Sequence, residues 1–194
     1  MSPVNLSVAL VCLMVAAVCG CETQQQQTQV ETPVTPVAPA PPSAFDEAVA
    51  HEQRGELELA VWKYQQAIRE NPKDSRAHVN LGRLYAREGQ VARAERHWRH
   101  AIELNPNDAR AYNLLGGAHM RRQEYDEAIA CYQRALEADP RYANAHWNMA
   151  TACRHQGMTE AAARHYRRYI ALASPEERED IAEARSYLLS VGER

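Results

Sequence analysis

The side chains best suited to metal ligation or nucleophilic chemistry are eight histidines and five cysteines. His97 and His100 lie one helical turn apart around Trp98, a spacing that could share one ion. No Cys, Asp or second His pair joins them at ligand spacing, so a solvated helix face is the expectation. Gly116-Gly117 lacks the preceding strand and the following Lys-Ser/Thr of a phosphate loop. No Ser/His/Asp set and no carboxylate pair is recognisable. The chain is expected to be no enzyme and to need no cofactor or metal.

Arginine is the residue type that stands out. Segments 75–88, 109–122 and 143–156 carry Arg76, Arg83, Arg87, Arg110, Arg121, Arg122 and Arg154 against a single acid, Glu88. That is a surplus of six positive charges within a chain of net charge −3. At about 100° per residue, Arg76, Val79, Arg83 and Arg87 share one helix face. The matching faces are Arg110, Asn113, Gly117 and Arg121, then Asn144, Trp147, Thr151 and Arg154, with Asn148 beside them. A planar guanidinium binds carboxylates through two parallel hydrogen bonds. The row therefore predicts an acidic or extended protein or peptide partner, with Trp147 and the asparagines as further contacts. An exposed face kept soluble by charge would usually carry both signs. The net negative charge argues against a nucleic-acid partner.

The elements that must position these residues follow from a fixed period. Pro72, Pro106 and Pro140 are 34 residues apart. Tyr64, Trp98 and Tyr132 precede them by eight, and Ala67, Ala101 and Ala135 by five. Ala60, Ala94 and Ala128 precede them by twelve. Within 109–142, Tyr112, Leu115, Gly116 and His119 form one helical stripe, and Ala128, Tyr132 and Ala135 another. Gly116 and Ala128 let two helices approach closely, the aromatic fills the layer between units, and proline ends each second helix.

On these residues, over about 45–173, the chain resembles the tetratricopeptide-repeat family. The resemblance implies an all-α fold: an α-solenoid, a right-handed superhelix of helix hairpins, with a C-terminal capping helix. Four repeats are expected at about 41–74, 75–108, 109–142 and 143–174. The end units depart from the pattern, as terminal repeats do: Glu47 replaces the leucine, Tyr169 replaces the small alanine, and the proline slips to Pro175. Ser174 as N-cap and Pro175 at the first helical position predict a capping helix over 175–191 within a 175–194 tail. In the family the first helix of each repeat lines a concave groove that holds peptides. Members that clamp chaperone C-termini carry Lys and Asn where this chain has Phe45 and Val49, so a cytosolic chaperone adaptor is disfavoured.

The N-terminus reads as an export signal over residues 1–21. Val8–Val18 is an unbroken apolar run of eleven, too short to cross a bilayer but suited to a signal peptide. It ends in Val18-Cys19-Gly20-Cys21, which resembles the lipobox of bacterial lipoproteins, with Cys21 as the lipid attachment site. The preceding MSPVNLS lacks the Lys or Arg usual in such signals. Residues 22–44, rich in Gln and Pro, are expected to be a disordered tether. Only Cys131 and Cys153 would remain in the mature domain, where a bridge is chemically possible after export but a buried apolar role suits Cys153. The expected protein is a membrane-anchored interaction scaffold of the bacterial envelope facing the periplasm, of the kind that assists envelope or pilus/secretion assembly. The alternatives are a non-lipidated periplasmic or secreted adaptor and an accessory of polysaccharide export or peptidoglycan.

Overall fold

The computed structural model describes residues 41–192. Cys21, the signal-like segment and most of the Gln/Pro-rich tether lie outside them. The described residues are all helix and turn, with no helix long and apolar enough to cross a membrane. In order the helices are α1 (Ala44–Gln53), α2 (Leu57–Glu70), α3 (Ser75–Arg87), α4 (Val91–Leu104), α5 (Ala109–Arg121), α6 (Tyr125–Ala138), α7 (Ala143–His155), α8 (Thr159–Leu172) and α9 (Arg178–Ser190). They form four hairpins, α1/α2 to α7/α8, and each second helix also packs on the first helix of the next unit.

The prolines act one step later than simple helix termination. Each occupies the second position of a β-turn whose fourth amide donates to the first carbonyl. The pairs are Asp74 to Asn71, Asp108 to Asn105, Tyr142 to Asp139 and Glu177 to Ser174, all at 3.1 Å. Proline presets φ for that position and needs no donor there. Pro175 makes the same turn, so the predicted start of the last helix is corrected: it begins at Arg178, not at Pro175. Ser174 closes the turn instead of capping a helix, with its amide donating to Glu177 Oε2 at 2.7 Å. Inside the hairpins the tight turn sits at positive φ in Gly55, Gly89 and Gly157; the third repeat places Gln123 there, at φ 60°. Glycine adopts that conformation without a Cβ penalty, whereas Gln123 is strained by it.

Within each hairpin a small residue faces a large aromatic. Ala48, Gly82, Gly116 and Ala150 recur at the 34-residue period against Tyr64, Trp98, Tyr132 and Tyr166. A Cβ on Gly82 would lie 2.6 Å from Trp98 Nε1, and one on Gly116 2.5 Å from Tyr132 Cε1. The rings themselves are buried at 0–1% exposure. The Trp98 indole donates to the Val79 carbonyl at 3.3 Å, satisfying its only polar group. Glu47, the residue that breaks the leucine position of the first unit, forms an ion pair with Lys63 of α2. At the C-terminal end, α9 lays Ile181, Ala184, Tyr187 and Leu188 over Tyr166, Tyr169 and Ile170. Cys131 and Cys153 are free thiols, and burial pushes both above the usual thiol range.

Candidate partner-binding groove

The first helices α3, α5 and α7 lie side by side, α5 touching both neighbours. They open a cleft of about 380 Å³ lined by Arg83, Arg87, Leu114, Gly117, Arg121 and Asn148, with Trp98 and Asn113 also in its wall. A second cleft of about 510 Å³ continues toward α1, between Phe45, Val49, Tyr64, Asn80 and Arg110, and again includes Arg83 and Arg87. The predicted face is therefore brought together in part, and its charge is reduced by carboxylates arriving from other elements.

Arg83 is held by Glu52 of α1, its Nη2 lying 2.5 Å from Oε1 and 2.7 Å from Oε2. Arg154 pairs at 3.0 Å with Glu183 of α9. Arg76 doubles back on its own N-cap, bonding Asp74 through Nε at 2.9 Å and Nη2 at 2.7 Å, with its guanidinium 4.6 Å from the centre of the Phe45 ring. Arg122 bonds Glu124 at 2.9 Å and also reaches the buried Glu95 of α4. Four of the seven arginines are thus paired at close range, which leaves three. Arg87 is half exposed, with Glu52 no closer than 3.9 Å. Arg110 is exposed and donates to the amide oxygen of Asn80 at 3.4 Å, with no carboxylate partner among the described residues. Arg121 is exposed and has no carboxylate partner among the described residues.

The neutral positions also separate. Asn113 is buried and accepts from the Asn148 amide at 2.9 Å, so two repeats share one hydrogen bond along the groove floor. Asn144 is exposed at the start of α7. Val79, placed on the open face by the helical wheel, is 2% exposed and packs with Ala101 and Ala111. Trp147 is partly buried: its ring contacts Tyr166 and Tyr169 at 5.4 and 5.1 Å, in the aromatic layer beneath α9. That is a core role, because the neighbouring helices close over its side of α7. Sequence reasoning missed Glu52, Tyr64, Asn80 and Leu114 as groove residues. The recurrence of Asn80 and Asn148 two repeats apart was the available signal.

The histidines correct another expectation. His97 is not on a solvated face: its Nδ1 lies 3.1 Å from Nδ1 of buried His78, and its ring stacks on Tyr85. His100 is exposed and contacts Glu103 at 3.0 Å. The fourth repeat copies the pair, His146 facing His165 at 3.0 Å. No group of three or more candidate ligands that could hold a metal occurs among the described residues.

The comparisons with known proteins agree with the repeat fold. The Tetratricopeptide repeat family profile matches residues 79–139 and 118–177, and a TPR repeat profile matches 50–89. The chain belongs to the tetratricopeptide-repeat family. Such repeats are typically interaction scaffolds, not enzymes. A crystal structure of MamA is 22% identical, covers 76% of this chain and 85% of its own, and superposes with a TM-score of 0.62. A MamA double mutant gives 19% identity, 76% and 82% coverage, and a TM-score of 0.63. The first TPR of Spaghetti (RPAP3), bound to the HSP90 peptide SRMEEVD, gives 23% identity, 59% and 90% coverage, and a TM-score of 0.55. At these identities the likeness is one of fold. No curated protein sequence matches the chain.

Proposed function

We propose that this repeat protein is a membrane-tethered adaptor of the bacterial cell envelope whose groove takes an extended, acidic segment of a protein partner. The observation that carries the reading is the pair Arg87 and Arg121, contributed by successive first helices to one cleft and lacking a close carboxylate of their own. Beside them the linked amides of Asn113 and Asn148 offer hydrogen bonds suited to a peptide backbone. The peptide-bound TPR among the similar structures supports a peptide segment as a kind of ligand this fold accommodates. Tethering is supported by the apolar run ending in Gly20-Cys21 and the proline-rich segment after it.

The groove is tested by Arg87→Glu with Arg121→Glu. Partner capture should be lost, the melting temperature should be retained, and wild-type capture should weaken as salt rises. Arg83 is unsuitable for this test, because Arg83→Glu would set two carboxylates against each other at Glu52. Undiminished capture by the double variant would move the binding surface elsewhere. For the tether, Cys21→Ser should shift the protein from the membrane pellet to the soluble fraction, since stable anchoring needs several acyl chains. Equal fractionation of the two forms would refute lipidation at Cys21 and favour the non-lipidated adaptor.

A further inference from the structure

We infer that Glu52 is a resident carboxylate of the groove: it occupies Arg83 as a ligand's acid would, and so directs the acidic residue of a bound segment to Arg87 and Arg121. The inference rests on the groove reading above.

Three observations carry it. The first is register. The positions equivalent to Glu52 at the 34-residue period are Ala86, Met120 and Arg154, so the first unit alone puts an acid there. The second is geometry. Both Glu52 oxygens lie within hydrogen-bond distance of Arg83 Nη2, and the Tyr64 hydroxyl donates to Oε2 at 3.1 Å. Burial, and then the Glu52 charge, push that hydroxyl up to about 12, so it stays a donor at physiological pH. A guanidinium and a phenol that could grip an incoming carboxylate are thus already satisfied from within the chain. The third is burial. The Glu52 side chain is only 13% exposed, against 50% for Glu183 on Arg154. A ligand acid that displaced Glu52 would strand a nearly buried charge without its partner, a heavy penalty.

Arg83 borders both clefts. With Glu52 on it, the cleft toward α1 presents Phe45, Val49 and Tyr64 beside a neutralised ion pair, together with Arg87 and Arg110. The cleft between α3 and α5, to which Arg87 and Arg121 both contribute, then takes the acid.

The test is fluorescence anisotropy of a labelled octapeptide, (Glu-Ala)4, titrated with the full chain at low salt. Glu52→Gln can still accept from Tyr64 and frees Arg83, so it should tighten binding roughly fivefold, the upper range for a partly exposed ion pair. In an Arg83→Gln background the same substitution should gain nothing. Glu52→Asp, which withdraws the carboxylate while keeping its charge, carries the same comparison if Glu52→Gln fails to fold. Equal affinity of wild type and Glu52→Gln, with capture still abolished by Arg87→Glu/Arg121→Glu, would overturn the role of Glu52 and leave the groove reading intact. An equal gain with and without Arg83 would reduce Glu52 to a diffuse charge and also overturn it. Undiminished capture by the Arg87/Arg121 variant would overturn both.

Discussion

Mild acid should loosen the second and fourth hairpins while the ion pairs of the fold are still intact. In each of these hairpins two imidazoles meet across the first and second helices, His78 with His97 at 3.1 Å and His146 with His165 at 3.0 Å. Burial, reinforced by neighbouring positive charge, brings His78 and His165 down to about 4. His97 and His146 are lowered mainly by burial as well. The groups facing them are His100 and Asp74 at His78, Arg96 and His100 at His97, Arg168, Asp139 and the Pro140 carbonyl at His146, and Arg164 at His165. The unfolded chain binds these protons near pH 6.5. The folded chain therefore holds fewer protons in between, so the stabilisation is complete above about pH 6.5 and is lost as pH falls from there through 4. At pH 5 the loss, discounted for solvent screening of these half-buried rings, is about 1 kcal/mol for each of His78 and His165, or about 2 kcal/mol together, from a typical total of about 5–15 kcal/mol. For a domain of this size that lowers the melting temperature by about 5 °C. The carboxylates depressed by their partners, Glu56, Asp74 and Glu124, stay ionised at pH 5 and do not contribute. Melts of residues 41–194 followed by circular dichroism at pH 7.5 and 5.0 measure the effect. His78→Gln/His165→Gln should abolish most of the difference. A variant whose melting point falls between the two pH values as far as that of the wild type would refute the assignment to the pairs.

Two glycines on successive first helices, α3 and α5, should respond oppositely to alanine. Gly82→Ala drives its Cβ against Trp98 and to 3.0 Å from the Ala94 carbonyl, and should destabilise by about 1–3 kcal/mol. Gly117→Ala meets only the Tyr132 hydroxyl at 4.0 Å, and should stabilise by about 0.5–1 kcal/mol while narrowing the groove. Urea midpoints decide both, and a loss of stability at Gly117 would contradict the open geometry there. Deleting residues 174–194 removes α9 from Trp147, Tyr166 and Tyr169, so the truncated domain should melt well below residues 41–194. Equal midpoints would mean that α9 does not cover the last repeat.

The sequence by itself determined the repeat architecture, because each unit buries its face against its immediate neighbours and must restate the same size pattern every 34 residues. Tyr64, Trp98, Tyr132 and Tyr166 opposite Ala48, Gly82, Gly116 and Ala150 are legible one repeat at a time. The first-helix boundaries follow for the same reason, since Asp74 and Asp108 cap α3 and α5 with their own side chains. The groove's electrostatics were not legible in this way. Its arginine row is visible on three helical wheels, but Glu52 lies 31 residues from Arg83 and Glu183 lies 29 from Arg154. Those acids sit on helices the wheels treat as separate. Only tertiary packing decided that Arg83 and Arg154 are neutralised while Arg87, Arg110 and Arg121 remain available. The same packing took Val79 into the core, drew Trp147 partly into it and turned His97 from a solvated residue into half of a part-buried pair. A wheel assigns each side chain a direction around its own axis. Whether that direction meets solvent, a carboxylate or another helix is settled by the elements that close over it.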